Sequence, residues 1–96
     1  MKYDDAKREL EDLGAEFLSR AEMRSRLPQD VSFFSPIGCL QCGSKRFTDV
    51  LYFLADQPDL FYWAQGECGV TLSVVNYGSI ARCLVCDGAR FEIDVE

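Results

Sequence analysis

The chain has no histidine, only three prolines and a single tryptophan in its 96 residues. Without histidine, mixed cysteine–histidine metal sites and the commonest general base are both excluded. The scarcity of proline and the lack of any low-complexity tract exclude a long disordered segment. With 48% hydrophobic and 27% charged residues, the composition is that of a globular domain. Long apolar runs are also missing: the longest, Val50 to Ala55, is far too short to cross a bilayer. The opening MKYDDAKREL is charged from its second residue and lacks the apolar core of a secretory signal. These absences predict a single cytoplasmic domain with reduced thiols and no membrane association.

Positive charge is the other shortage. Ten basic residues face sixteen acidic ones, a net charge of −6. After Arg26 only Lys45, Arg46, Arg82 and Arg90 remain. That balance disfavours non-specific attraction to phosphate backbones and suits a protein partner with a basic surface.

What is present divides the chain in two, residues 1–28 and 31–96. Tyr3, Ala6, Leu10, Leu13, Phe17 and Ala21 recur at steps of three and four, which predicts one amphipathic helix from about Asp4 to Arg26. Asp4–Arg8, Glu16–Arg20 and Glu22–Arg26 have the acid-first i,i+4 spacing that supports a helix, and Pro28 ends it. Gly14 stands in mid-pattern, at a cost of about 1 kcal/mol relative to alanine. The apolar stripe is expected to cover one face of the following sheet or to serve as a homodimer seam.

From Val31 the texture becomes β-like. VSFF, RFTDVLYFLA, LFYWAQ, VTLSVVN and ARFEIDV read as strands, with DQPD as a hairpin turn between the second and third and Tyr77-Gly78-Ser79 as a turn before the last. The resulting fold class is α+β, a helix packed on an antiparallel sheet.

The strongest signal is an echo. GCLQCGSKRF at 38–47 recurs as RCLVCDGARF at 82–91, so Cys39-x2-Cys42 returns as Cys83-x2-Cys86, Leu40 as Leu84, Arg46 as Arg90 and Phe47 as Phe91. A C-x2-C pair lets the backbone wrap one metal ion, with both sulfurs inward and backbone N–H groups facing the thiolates. Two pairs supply the four soft ligands that tetrahedral zinc prefers, and Gly43 and Asp87-Gly88 provide the freedom the turns need. Free buried thiols and a redox dithiol are the other readings of the same residues. Cys68, the fifth cysteine, is expected to be a turn or core residue without chemistry.

The two segments resemble the zinc knuckles of the zinc-ribbon (zinc β-ribbon) fold group, in which knuckles at the ends of β-hairpins share one structural zinc. The resemblance implies Cys39, Cys42, Cys83 and Cys86 as the ligands of one Zn2+, with every coordination position filled by protein. This chain departs from the pattern in two ways. Leu40 and Leu84 stand where such knuckles commonly carry proline, and the 40 residues between the pairs exceed the usual insert.

All four basic residues after Arg26 lie close to a knuckle cysteine. They are expected either to compensate the net −2 of a four-thiolate zinc or to form a small anion-binding patch. Half of the twelve aromatics fall within residues 47–63, in segments apolar on both faces. One face is expected to take the helix. The other either lies in the core or presents Tyr52, Tyr62 and Trp63 to a partner or a second copy. Three functional classes follow. The first is a non-enzymatic protein-binding module of inhibitor, adaptor, immunity or antitoxin type. The second is a nucleic-acid-binding zinc ribbon using Lys45, Arg46, Arg82 and Arg90, and the third is a CxxC dithiol oxidoreductase.

Overall fold

The N-terminal third does not form one helix. In a computed structural model of the chain, which describes residues 1–30, 32–68 and 77–95, it breaks into three pieces. These are α1 (Tyr3–Asp12), a two-residue strand β1 (Phe17–Leu18) and α2 (Arg20–Arg26). The break has local causes. Gly14 adopts φ +92°, and the N–H groups of Gly14 and Ala15 donate to the carbonyls of Glu11 and Leu10 at 3.0 and 2.9 Å. That is a Schellman stop, which favours glycine at its left-handed residue. Gly14 therefore ends a helix instead of burdening one. Five residues on, Ser19 caps α2. Its Oγ accepts from the Glu22 N–H at 3.2 Å, and its own N–H donates to Glu22 Oε1 at 3.0 Å. This capping box starts the second helix in a new direction.

The break lets one short segment cover two surfaces. Strands β3 (Phe47–Leu54) and β4 (Tyr77–Cys83) pair antiparallel, and β1 adds to the other edge of β3, giving the order β1-β3-β4. Neighbouring strand residues point to opposite faces. Phe53 and Ile80 pack with Tyr3, Ala6 and Leu10 of α1, whereas Tyr52 and Tyr77 pack with Leu18, Met23 of α2, Leu27 and Phe33. The two-sided apolar character of this sheet is thus met from within the chain, by α1 on one face and α2 on the other.

The segment LFYWAQ, expected as a strand, is helical instead. Pro58 opens α3 (Pro58–Trp63) at its first position, where its fixed φ suits a helix and its missing N–H is not needed. Leu60 and Trp63, three apart, are buried, and the Trp63 ring meets Phe53 edge-on at 6.1 Å. DQPD is consequently a helix start and not a hairpin turn. A π-helical turn, Ala64–Cys68, follows and places Cys68 at its end.

A second sheet pairs β2 (Phe34–Cys39) with β5 (Phe91–Val95), antiparallel, with a bulge between Pro36 and Gly38. In β5, Phe91 is buried while Glu92 and Asp94 are exposed, as its alternation requires. Tyr77-Gly78-Ser79 belongs to β4 and makes no turn. The strand expected at VTLSVVN, up to Asn76, lies outside the described residues. Away from the knuckles the two sheets are tied by tyrosine hydroxyls. Tyr77 Oη accepts from the Phe34 N–H at 2.7 Å, and Tyr52 Oη lies 3.2 Å from Ser35 Oγ.

Two substitutions test this packing. A Cβ on Gly78 would stand 2.6 Å from Phe53 Cζ and 3.1 Å from Ala64 Cβ. Gly78→Ala is expected to cost about 1–3 kcal/mol through overpacking, and Ser19→Ala about 1 kcal/mol through loss of the cap. Urea denaturation midpoints read both.

Candidate metal centre

Each knuckle is a tight turn built from the same hydrogen bonds. In the first, the Cys39 N–H donates to the Ser44 carbonyl at 2.8 Å and the Gly43 N–H to the Cys39 carbonyl at 2.9 Å. In the second, the Cys83 N–H donates to the Gly88 carbonyl and the Asp87 N–H to the Cys83 carbonyl, both at 3.0 Å. Gly43 and Asp87 occupy equivalent places and both are left-handed, at φ 76° and 59°. Aspartate is among the few residues besides glycine that visit that region routinely. Gly88 serves space instead: a Cβ there would collide with Gln41 Oε1 and approach Cys86 Sγ to 3.2 Å.

The two knuckles are locked to each other. The Leu40 N–H donates to the Arg90 carbonyl and the Leu84 N–H to the Arg46 carbonyl, each at 3.0 Å. Cys39 is paired with Phe91 across β2–β5, Phe47 with Cys83 across β3–β4, and the Phe47 and Phe91 rings meet edge-on at 5.1 Å. The strand entering each knuckle therefore pairs with the strand leaving the other. Neither knuckle tips a hairpin of its own flanking strands, a departure from the ribbon arrangement that the sequence resembles.

This crossing brings the four sulfurs together. Cys39 Sγ lies 3.6 Å from Cys86 Sγ, Cys42 Sγ 3.5 Å from Cys83 Sγ, and all four fall within 4.8 Å of one another. A tetrahedral ion with sulfur ligands at about 2.3 Å has sulfur–sulfur edges of about 3.8 Å, so the cluster fits one metal ion. Its electrostatics ask for one. The N–H groups of Cys86 and Val85, 3.5 and 3.4 Å from Cys83 Sγ, hold that thiol down to about 6, making it a thiolate at neutral pH. At Cys42 the Ser44 N–H pulls the same way, but burial and the three neighbouring sulfurs outweigh it and push the thiol up to about 12. Cys86 is raised too, the pull of the Gly88 N–H being outweighed by burial and by Cys39. Four thiolates at this spacing repel one another, and a divalent cation allows all of them to ionise.

The basic residues near the knuckles separate into two groups. Arg82 is held by three carboxylates: Asp4 and Asp87 at 2.7 Å, and Asp49 at 3.4 Å. Its guanidinium also lies over the Tyr3 ring, 4.4 Å from the centroid, so it ties α1, the β3 bulge and the second knuckle into one unit. Lys45, Arg46 and Arg90 are exposed at the metal end. Lys2 joins them, donating from Nζ to the Cys86 carbonyl at 2.6 Å, while Tyr3 N–H donates to the Asp87 carbonyl and Ala89 N–H to that of Met1. Nothing local in the sequence marks Lys2, Asp4 or Asp49, because they meet the second knuckle and Arg82 only after folding.

The three aromatics expected to face a partner do not share a surface. Tyr52 and Trp63 are buried, at 1% and 8% exposure, and only Tyr62 stands out, at 70%. Tyr52 joins the core beneath α2, and the helical turn of α3 sends Trp63 inward and Tyr62 outward.

Two tests follow from this geometry. Sulfur contacts at 3.6 and 3.5 Å cross between the knuckles, so brief peroxide oxidation of the folded, metal-loaded protein is expected to link Cys39 to Cys86 and Cys42 to Cys83. Peptide mapping showing Cys39–Cys42 and Cys83–Cys86 links would contradict the geometry. Arg82→Leu is expected to lower the melting temperature, by less in molar salt, where the ion pairs of the wild type are screened. Compared with protein-family models, curated proteins and solved structures, the chain matches none, and its reading rests on the site just described.

Proposed function

We propose that the chain is a non-enzymatic protein-binding module held together by one structural zinc. The observation that carries this reading is the four-sulfur cluster, whose members come in pairs from two interlocked turns and lie close enough to hold one ion. A site closed by four protein ligands has no open position for a substrate or an activated water, which is how structural zinc sites are built. Four thiolates select a soft ion, and zinc brings no redox chemistry to a site meant to hold a fold. Once bound, the ion would neutralise part of the charge on Cys39, Cys42, Cys83 and Cys86 and fix the two knuckles relative to each other.

Protein recognition is supported by the surface. Tyr62 is exposed on α3, and Leu40, Leu84 and Val85 are exposed on the knuckles at 56%, 56% and 66%. Apolar side chains grouped at one end of a small domain mark contact surfaces. The nucleic-acid alternative is weakened by Arg82, whose charge is engaged by three aspartates.

Native mass spectrometry is expected to show one zinc per chain and a colourless protein. Visible thiolate-to-iron absorption would replace zinc by iron. Stripping the metal, or Cys83→Ser, is expected to abolish cooperative thermal unfolding. Zinc affinity is expected to fall as pH falls, because protons displace the metal from its thiolates. Photo-cross-linking in host extract is expected to give a discrete protein adduct, and its absence would remove the recognition half of the proposal.

A further inference from the structure

Two bulges interrupt the strands, one in each sheet, and both deliver an apolar side chain to the same cleft. In β2, Pro36 pairs with Ile93 and Gly38 with Glu92, so Ile37 is an extra residue with no cross-strand partner. In β3, Thr48 pairs with Arg82 and Leu51 with Ile80, so Asp49 and Val50 share the place opposite Ala81. Asp49 is left-handed there, at φ 53°, and is held by Arg82. Bulges re-aim side chains and are over-represented beside active sites. Here Ile37 and Val50, from different sheets, line one cleft of about 440 Å³.

The cleft lies where β2, β3, β5 and the start of α2 meet, and it has the size of a small-molecule site. Its character changes along the strands. Toward the knuckles it is apolar, lined by Val50, the half-buried Phe47 and Ile37, which is 41% exposed. At the other end polar groups converge on Ser35. Ser35 pairs with Asp94 across β2–β5, and its Oγ lies 3.2 Å from Tyr52 Oη and 3.5 Å from Arg20 Nη1. Arg20 opens α2 directly after the Ser19 cap, and its guanidinium lies over the Phe33 ring, 5.3 Å from the centroid. The fold therefore sets where this charge stands.

We infer that this cleft binds a small zwitterion with an apolar tail, the chemistry of a free α-amino acid with an aromatic or branched aliphatic side chain. Its carboxylate goes to Arg20 and its ammonium to Asp94, with the Ser35 and Tyr52 hydroxyls between them able to donate or accept. Its tail lies against Ile37, Val50 and Phe47. The two charged residues of the lining are of opposite sign. A simple anion is drawn to one and repelled by the other, and so is a simple cation, whereas a zwitterion gains from both. The surroundings keep that balance. Arg24 lies over Phe33 and Glu92 stands exposed on β5, one of each sign, while Asp49 is turned to Arg82 and Glu22 to the Ser19 N–H. The inference goes beyond the protein-binding reading, which rests on other residues, and the two can fail separately.

The test is an amide chemical-shift titration of the full, zinc-loaded chain with L-phenylalanine. Saturable shifts are expected at Arg20, Ser35, Ile37, Val50 and Asp94. On the same wild-type protein, 3-phenylpropanoate lacks the ammonium and 2-phenylethylamine lacks the carboxylate. Each is expected to bind about tenfold more weakly, and glycine, which has no tail, more weakly still. Arg20→Gln and Ile37→Ser are each expected to weaken phenylalanine binding about tenfold, and Lys7→Glu on α1 should bind as wild type. Shifts confined to other residues, or no saturable shifts, would overturn the inference. So would phenylpropanoate or phenylethylamine binding as tightly as phenylalanine. Because the ligand series is read on the unaltered protein, a variant that fails to fold leaves the test decisive.

Discussion

The structure depends on the mutual closure of two turns. Cys39 and Cys83 are each at once a member of the sulfur cluster and the last residue of a strand, β2 and β4 respectively. Because β2 pairs with the strand that leaves the second knuckle and β4 with the strand that leaves the first, both sheets are fastened at the same point. Beside the sulfurs, Ala81 and the Phe47–Phe91 pair form a small core of their own. Bringing four thiolates this close is unfavourable without a cation, so a metal ion held there would couple its own binding to the assembly of both sheets.

Around that point the helices act as cover. A domain of this size cannot spare chain for a separate layer on each side of its sheet. The solution is to break one helical run, insert two residues as an edge strand, and send the halves to opposite faces. Arg82 then anchors the first half to the knuckle, reaching Asp4 on the helix and Asp87 in the turn from one guanidinium.

The cysteine pairs were legible because a metal site writes its needs locally: two sulfurs, two residues between, and a left-handed residue after. The alternation of Phe91, Glu92, Ile93 and Asp94 was legible for a similar reason, since one strand sees one buried face. The helix break was written just as plainly, in Gly14 and in Ser19 with Glu22. There the continuing steps of Leu13, Phe17 and Ala21 outweighed it, although Phe17 lies in a strand and Ala21 is exposed. Residues 58–63 were misleading because a short aromatic run suits a buried helix as well as a strand, and Pro58 fits the first turn of one as readily as a loop. Tyr52 and Trp63 looked like partner anchors but fill the core. The cage around Arg82 was illegible, since two of its three carboxylates, Asp4 and Asp49, come from distant parts of the chain and no short-range pattern links them.

The crossed pairing also has a kinetic meaning. Among the described residues neither sheet contains a hairpin joining its neighbours by a short loop: β3 must wait for β4 across α3, and β2 for β5 across most of the remaining chain. Contacts so distant in sequence bear the entropy of loop closure before they return any stability, which makes chains rich in them slow to fold. A metal ion held first by one knuckle and then by the other would shorten that search. The newly made chain would then reach its native pairing at a rate set by metal supply as much as by its own collapse.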